Sequence, residues 1–269
     1  MTAVGAAPVL QACRERGRAA LIGYLPVGYP DVPTSLAAMV AAVEAGVDII
    51  EVGVPYSDPV MDGEVIQAAA AHALAGGTRV DDVFRATAAV RTAGAPALVM
   101  SYWNLVLRRG VDRFADDLLG AGGAGLITPD LIPDEAADWV AASDRTGLDR
   151  VFLAAPSSTG ERLAVVTSAC RGFVYAASTM GVTGTRTSVV AAARDLVSRI
   201  REVSDIPVCV GLGVSTRAQA AELAAYADGV IVGTALVRAL TADRELPGDF
   251  PTLRSTVAEL AAGVREGQR

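Results

Sequence analysis

The sequence predicts an α/β protein in which residues 1–269 form a single domain, an eight-stranded (β/α)8 TIM barrel. Strand-like and helix-like segments alternate eight times, which indicates parallel strands joined by right-handed crossover helices. The strand between residues 47 and 54 is apolar on both faces, as in a sheet that helices cover. A length of 269 residues with 52% hydrophobic content suits one barrel of about 250 residues. A doubly wound open sheet is the alternative architecture.

Eight short apolar segments carry the strand pattern. They are Ala19–Leu25, Val47–Val54, Ala97–Met100, Gly125–Ile127, Arg150–Leu153, Gly172–Ala176, Pro207–Gly211 and Gly229–Val232. Between them, apolar residues recur at helical spacing, as at positions 36, 39, 40 and 43 and again at 189, 193, 196, 200 and 203. The same spacing from Leu253 to Val264 predicts a C-terminal helix. Residues 1–16 are expected to form a helix that closes the bottom of the barrel.

Composition excludes several classes of function. A net charge of −7 without any run of Lys or Arg argues against nucleic-acid binding. The sequence has neither a basic, apolar signal segment at its start nor an apolar stretch of about 20 residues. We therefore expect a cytoplasmic protein without membrane association. Cys13, Cys170 and Cys209 are too far apart for a CxxC metal site and odd in number, so no disulfide framework is predicted. Cys209 is expected to be a small core residue.

Two residue types are rare or missing, and their scarcity narrows the chemistry. The chain contains no lysine, which excludes Schiff-base catalysis of carbon–carbon bond cleavage. Its one histidine, His72, lies in an alanine-rich helical segment and is expected near the surface. A Ser-His-Asp triad or a site with several histidine ligands is therefore not predicted. Carboxylates, hydroxyls and backbone amides remain for catalysis.

Carboxylates inside and just after the second strand are the main candidates. Glu51 lies within the apolar strand, where burial raises the pKa of a carboxyl group toward the neutral range and suits it to proton transfer. Asp62 follows a turn-rich segment that can return it over the mouth of the barrel. A structural role for both acids is the alternative. For Asp58, in a Ser-Asp-Pro turn, the structural role is preferred.

Glycine turns after the last two strands indicate a phosphate site. Gly211-Leu212-Gly213 follows the seventh strand and Gly233-Thr234 follows the eighth, where barrels of this type bind phosphate through backbone N–H groups. Glycine allows the close approach of the backbone that such a site needs. The loop 180–185 after the sixth strand carries hydroxyl groups and glycines and could close over a substrate. Ordinary strand-to-helix turns are the alternative explanation.

Four segments match a known family. They are Glu51–Gly63 (EVGVPYSDPVMDG), Leu25–Asp31 (LPVGYPD), Tyr102–Asn104 (YWN) and Tyr175–Gly184 (YAASTMGVTG). Together they resemble the tryptophan synthase alpha subunit, over nearly the whole chain. The resemblance implies a barrel lyase that cleaves indole-3-glycerol phosphate to indole and glyceraldehyde 3-phosphate. It also implies an α2β2 heterotetramer with a beta subunit that holds pyridoxal phosphate, while the alpha subunit has no cofactor or metal.

The resemblance also assigns roles to individual residues. Glu51 and Asp62 correspond to the two catalytic carboxylates of the family. Its pocket, loop and phosphate-binding positions correspond to Tyr175, Thr183, Gly184, Gly213, Gly233 and Thr234. At the end of the third strand, Tyr102 and either Leu98 or Val99 would supply an apolar wall for the indole, with core packing as the alternative for the latter two.

The sequence departs from the family pattern at two positions. Glu64 stands where the family usually has proline, and Trp103 stands where a small residue is usual. These departures keep a stand-alone indole-3-glycerol phosphate lyase open as an alternative. Two further alternatives are a sugar-phosphate isomerase or epimerase on the same barrel and a non-catalytic activator subunit. Neither alternative accounts for the pairing of Glu51 with Asp62.

Overall fold

A computed structural model of the chain describes residues 5–177, 186–211, 213–244 and 248–267. The strands are β1 Ala20–Pro26, β2 Ile49–Gly53, β3 Ala97–Met100, β4 Gly125–Ile127, β5 Asp149–Val151, β6 Leu153–Ala154, β7 Val174–Ala177, β8 Val208–Gly211 and β9 Gly229–Val232. The helices that follow or precede them are α1 Ala7–Glu15, α2 Val32–Ala45, α3 Glu64–Ala75, α4 Val80–Thr92, α5 Trp103–Arg109, α6 Val111–Gly120, α7 Ala137–Thr146, α8 Gly160–Ala169, α9 Arg186–Arg201, α10 Arg217–Ala224, α11 Thr234–Ala242 and α12 Pro251–Glu266.

All strand pairs in the sheet are parallel, in the order β5-β4-β3-β2-β1-β9-β8-β7-β6. The two outermost strands of this order, β5 and β6, are separated in the chain only by Phe152. The sheet therefore closes on itself through the two halves of one interrupted strand. Because sequential strands are neighbours all the way round, the barrel prediction is confirmed and the doubly wound alternative is excluded.

The prediction of one continuous fifth strand from Arg150 to Leu153 was wrong. Phe152 interrupts it, because the Phe152 N–H donates to Cys170 Sγ at 3.4 Å and does not extend the ladder to β4. The Phe152 carbonyl accepts the Tyr175 N–H at 3.1 Å, so the second half of the strand pairs with β7. The other predicted strands begin and end within about two residues of the observed ones.

The second strand illustrates why such boundaries shift. The Val47 N–H donates to the Ala42 carbonyl at 3.1 Å and so still belongs to the last turn of α2. The strand consequently begins at Ile49, two residues later than predicted. All five residues of β2 are buried, as expected for a strand packed on both faces.

The barrel interior is filled by alternate strand residues, and α1 closes its bottom. Leu10 and Cys13 of α1 share an apolar cluster with inward residues of the strands, including Ile22, Ile49 and Cys209. Asp149, the first residue of β5, accepts the Ala6 N–H at 2.7 Å and anchors the start of α1 at the amino-terminal end of the strands. The predicted closing helix is therefore present as α1, over Ala7–Glu15 of the predicted residues 1–16.

The outer layer of helices covers the other face of the strands. Leu253, Val257, Leu260 and Val264 of α12 are all buried, which confirms the predicted C-terminal helix. Met39 of α2 and Leu196 of α9 are likewise fully buried. In the described ranges, no helix is long and apolar enough to cross a membrane.

Candidate active site

Glu51 lies on the inward face of β2, near its carboxyl end. Inward positions alternate along the strand, so Ile49 packs into the barrel core, Glu51 follows one step higher and Gly53 ends the row. The Glu51 side chain is 1% exposed, and Oε1 has no hydrogen-bond partner among the described residues. A buried, unpaired carboxyl oxygen at the open end of a barrel is costly and points to a function other than folding.

The segment after β2 is a chain of tight turns that ends at Asp62. The Val60 N–H donates to the Asp58 carbonyl at 2.9 Å, and the Asp62 N–H donates to the Pro59 carbonyl at 3.1 Å. The Ser57 hydroxyl bonds the exposed carboxylate of Asp58 at 2.6 Å, in keeping with the predicted turn role of that residue. These short turns bring Asp62 back over the strand end immediately before α3 begins.

Two side chains hold the backbone around Asp62. The Tyr102 hydroxyl accepts the Met61 N–H at 2.9 Å and lies 3.5 Å from Asp62 Oδ2. Gln67, one turn into α3, donates from Nε2 to the Asp62 carbonyl at 2.8 Å. The Tyr102 ring also stacks on Tyr56, with ring centroids 4.8 Å apart. Asp62 is thus placed by contacts from its own turn, from α3 and from the loop after β3.

A cavity of about 270 Å³ opens at the carboxyl ends of the strands and contains both acids. Its polar wall consists of Glu51, Asp62, Tyr24 and Tyr175. Its apolar wall consists of Met61, Ile66, Met100 and Ile231. Its rim is formed by Gly63, Gly211, Gly213, Gly233 and Thr234. An apolar cavity with a few convergent polar groups is typical of a site for a small molecule.

Burial changes the acidity of both carboxyl groups. It raises the pKa of Glu51 from 4.5 to about 8. It raises the pKa of Asp62 from 3.8 to about 6, and the hydrogen bond from Tyr102 lowers that value in part. At neutral pH, Glu51 is therefore mainly protonated and Asp62 mainly ionised. Two acids whose environments separate their pKa values in this way can serve as proton donor and anionic acceptor.

The rim beyond β8 and β9 has the geometry that an anion needs. Gly213 has a φ of +61°, in the left-handed region, and its Cα faces open space. Thr234 lines the cavity and is the first residue of the nine-residue helix α11, and the first N–H groups of a helix have no partner within it. Gly211 serves a different purpose, because a Cβ there would collide with the Tyr175 hydroxyl.

The structure brings together most of the residues that the sequence nominated. Glu51, Asp62, Tyr175, Gly213, Gly233 and Thr234 all line the cavity. Tyr102 is absent from the cavity wall and instead contacts Asp62 and the Met61 amide. The wall contributed by β3 is Met100, since Leu98 packs in the barrel core and Val99 packs against the outer helices. Thr183 and Gly184 lie outside the described residues.

Several lining residues were missed by the sequence reasoning. Tyr24, Met100 and Ile231 occupy inward positions in the carboxyl-terminal halves of β1, β3 and β9. The alternation of side chains along a strand could have indicated them, because each lies two residues after another inward-facing residue on its strand. The predicted bounds of the third and eighth strands equal those of β3 and β9, so this spacing was sufficient to nominate Met100 and Ile231 from the sequence.

The two departures from the family pattern fit the local backbone. Glu64 is the first residue of α3, where an exposed carboxylate interacts favourably with the helix dipole. Trp103 begins α5, and its backbone N–H donates to both carboxylate oxygens of Asp130, at 2.9 and 3.2 Å. Neither residue lines the cavity.

The remaining candidates have structural roles. His72 is exposed on α3, as predicted, and Nε2 lies 3.0 Å from the Pro30 carbonyl. Cys209 is fully buried, as predicted. Within the described ranges, His, Cys, Asp and Glu residues form no group of three or more that could hold a metal ion.

Comparison with known proteins identifies the family. Residues 10–263 match the family model described as tryptophan synthase alpha chain. The chain is 64% identical over 259 residues to the tryptophan synthase alpha chain of Mycobacterium avium, covering 96% of this chain and 94% of that protein. It is 65% identical over 260 residues to the alpha chain of Mycobacterium tuberculosis, covering 97% and 94%.

Solved structures give the same result. A structure of Mycobacterium tuberculosis tryptophan synthase contains a chain with 63% identity and a TM-score of 0.91, covering 98% of this chain and 99% of that chain. The tryptophan synthase A-subunit from the hyperthermophile Pyrococcus furiosus has 33% identity and a TM-score of 0.82, covering 91% and 98%. The agreement of sequence, fold and site establishes that this chain belongs to the family of tryptophan synthase alpha chains.

Proposed function

We propose that this protein is a carbon–carbon lyase that cleaves indole-3-glycerol phosphate to indole and glyceraldehyde 3-phosphate in tryptophan biosynthesis. The observation that carries the proposal is the pairing of buried Glu51 with Asp62 in one apolar cavity with a glycine rim. The whole chain, residues 1–269, acts as one barrel domain in the cytoplasm. The alpha chain itself uses no cofactor or metal.

The bond to be broken joins C3 of the indole to the carbinol carbon of the glycerol chain. Protonation at C3 converts the ring into an iminium-like electron acceptor, so the cleavage needs no Schiff base, in agreement with the absence of lysine. The bonding electrons then pass to the ring, and the carbinol carbon becomes the aldehyde. This route requires one group that moves protons and one that stabilises positive charge on the ring.

Glu51 is assigned to proton transfer. Its raised pKa of about 8 makes it a proton donor near neutral pH, and it can deliver a proton to C3. The resulting carboxylate accepts the proton of the carbinol hydroxyl as the aldehyde forms. Both tasks fit a carboxyl group that is buried at the cavity and has an oxygen without a partner among the described residues.

Asp62 is assigned to the indole N–H. Ionised above pH 6, its carboxylate accepts this hydrogen bond and stabilises the positive charge that develops on the ring. Tyr102 supports the assignment, because its hydroxyl holds the Met61 amide and lies beside Asp62 Oδ2. Tyr175, Met100 and Ile231 provide surfaces around the rings of the substrate.

The phosphate is assigned to the glycine rim. Gly213 offers open backbone, and Gly233 and Thr234 offer the amino terminus of α11, all three at the cavity. Thr183 and Gly184, outside the described residues, are proposed to complete this site from the loop after β7. Thr183 would also hold that loop closed near Asp62 and restrict water.

The proposed partner is a tryptophan synthase beta subunit, in an α2β2 heterotetramer, which holds pyridoxal phosphate and receives the indole. Exposed apolar side chains support a docking surface at the strand carboxyl ends. Val60, Leu107 and Ile132 are 77%, 51% and 46% exposed and follow β2, β3 and β4 respectively. A partner that covers them would bury apolar surface beside the turn that carries Asp62.

The deciding experiment measures indole release from indole-3-glycerol phosphate by the purified chain, alone and with its cognate beta subunit. We expect slow turnover alone, faster turnover in the complex and co-elution of the two chains on size exclusion. Glu222→Gln, which alters an exposed carboxylate on α10 and lies neither in the cavity nor on the turn after β2, is the control variant and should behave as wild type. Fast turnover alone without complex formation would favour the independent lyase, and no turnover in either state would refute the proposal.

A further inference from the structure

The hydroxyl of Tyr24 has no role in the chemistry described so far. Tyr24 lines the cavity, is only 7% exposed and lies opposite Glu51 in the register of β1 and β2. No described residue is hydrogen-bonded to this hydroxyl. A hydroxyl that faces a cavity and has no protein partner is free to form a hydrogen bond with a ligand.

Two glycines define where the ring lies. A Cβ at Gly233 would be 3.3 Å from Tyr24 Cδ1, so the base of the ring lies beside the phosphate rim. A Cβ at Gly53 would collide with the Tyr24 hydroxyl, so the tip of the ring lies over the end of β2. Because Gly53 is two residues after Glu51, both are on the inward face of β2. The phenol therefore extends from the rim toward the carboxylates.

The hydroxyl keeps its proton at all working pH values. Burial raises the pKa of Tyr24 well above 10, and the nearby charges of Asp62 and Glu51 raise it further. The group is thus a neutral O–H that can donate one hydrogen bond. Tyr175 differs in position, since its hydroxyl lies over Gly211 on β8.

We propose that the Tyr24 hydroxyl donates a hydrogen bond to a hydroxyl oxygen of the glycerol chain of the substrate and orients that chain between Glu51 and the phosphate rim. The inference rests on the proposed function and makes Tyr24 a residue that recognises the hydroxylated side chain of the substrate. A phenylalanine would fill the same space and leave the glycerol oxygen without this donor. Holding the carbinol oxygen toward Glu51 favours the geometry from which cleavage begins.

The test compares substrate with an analogue in the alpha–beta complex. Tyr24→Phe removes only the hydroxyl, and indole-3-propanol phosphate keeps the indole and phosphate but lacks both glycerol hydroxyls. We expect kcat/KM for indole-3-glycerol phosphate to fall about tenfold, as for loss of one buried hydrogen bond. The dissociation constant of the analogue should change by less than about twofold, because the analogue has no oxygen at that place. Unchanged thermal unfolding would show that the variant folds normally.

Tyr226→Phe is the matched control, because Tyr226 is also 7% exposed and its hydroxyl has no described partner, yet it does not line the cavity. Tyr226→Phe should leave both kcat/KM for the substrate and the dissociation constant of the analogue unchanged. The inference is overturned if Tyr24→Phe cleaves the substrate as fast as wild type. It is also overturned if the variant raises the dissociation constant of the analogue by the same factor by which it lowers kcat/KM for the substrate. The wild-type complex in the same assay separates the two proposals. If it does not cleave, the proposed function fails together with the Tyr24 contact, whereas full activity of Tyr24→Phe removes the contact alone.

Discussion

The Tyr102 hydroxyl lies 3.5 Å from Asp62 Oδ2 and at the same time accepts the Met61 N–H at 2.9 Å. One phenol thus contacts both the carboxylate and the backbone of the turn that carries it, although 40 positions separate Tyr102 from Asp62. The acid on the loop after β2 is consequently positioned by the loop after β3. This arrangement couples the pKa of Asp62 to a residue that does not line the cavity.

Tyr102→Phe should raise the pKa of Asp62 and lower activity. The variant removes a hydrogen bond that lowers the Asp62 pKa and leaves the Met61 amide without its partner. We expect the acid limb of the kcat profile to move upward from about pH 6, with kcat at pH 7 reduced about three- to tenfold. The pH dependence of indole formation checks this. Tyr29→Phe, which removes a hydroxyl bonded to Thr241, should leave the profile unchanged.

Activity should follow a bell-shaped pH profile set by the two acids. Asp62 must be ionised, so activity falls as pH drops through about 6, and Glu51 must be protonated, so activity falls as pH rises through about 8. Steady-state rates from pH 5 to pH 9 measure this profile.

Glu51→Gln should retain the fold and lose about 10²- to 10⁴-fold in kcat, since the substitution keeps the shape of the side chain and removes proton transfer. Retention of most wild-type activity by Glu51→Gln would remove Glu51 from this role.

The same substitution should stabilise the protein at alkaline pH. The folded-state pKa of Glu51 is raised above its ordinary value, so the folded state binds the proton more tightly than the unfolded state does. The free energy of unfolding therefore decreases as pH rises from about 4.5 to about 8, and this contribution then stays constant. Glu51→Gln abolishes that loss.

Urea unfolding at pH 5 and at pH 9 measures the effect. We expect the variant to match wild type at the lower pH and to exceed it at the higher pH, by an amount on the order of a few kcal/mol. Asp58→Asn is the control at an exposed turn, and its free energy of unfolding is expected to match that of wild type at both pH values. Equal stability of Glu51→Gln and wild type at pH 9 would contradict the burial of an unpaired carboxyl group.

Substitution at Gly213 should separate charge from backbone strain at the phosphate rim. A side chain at φ +61° is strained, but space around the Cα is open, so Gly213→Ala tests the strain alone. Gly213→Asp adds a negative charge facing the proposed anion. We expect KM for the phosphorylated substrate to rise at least about tenfold more for Asp than for Ala, with little change in the binding of free indole. Similar KM values for the two variants would place the phosphate elsewhere.

The sequence alone determined the alternation of strands and helices, because apolar periodicity is a local property of each segment. It also determined that Glu51 lies in a buried strand and that Asp62 follows a rigid turn, since both depend on a few neighbouring residues. The C-terminal helix from Pro251 was predictable for the same reason, as four apolar positions repeat at helical spacing.

Only the tertiary structure decided which side chains meet. The interruption at Phe152 depends on Cys170 Sγ, 18 positions away, and the support of Asp62 depends on Tyr102. Tyr24 reaches the end of β2 because Gly53 has no side chain, a contact between two strands that neither strand's own pattern contains. Strand periodicity specifies the face to which a residue points, whereas register and ring direction follow from packing between distant segments.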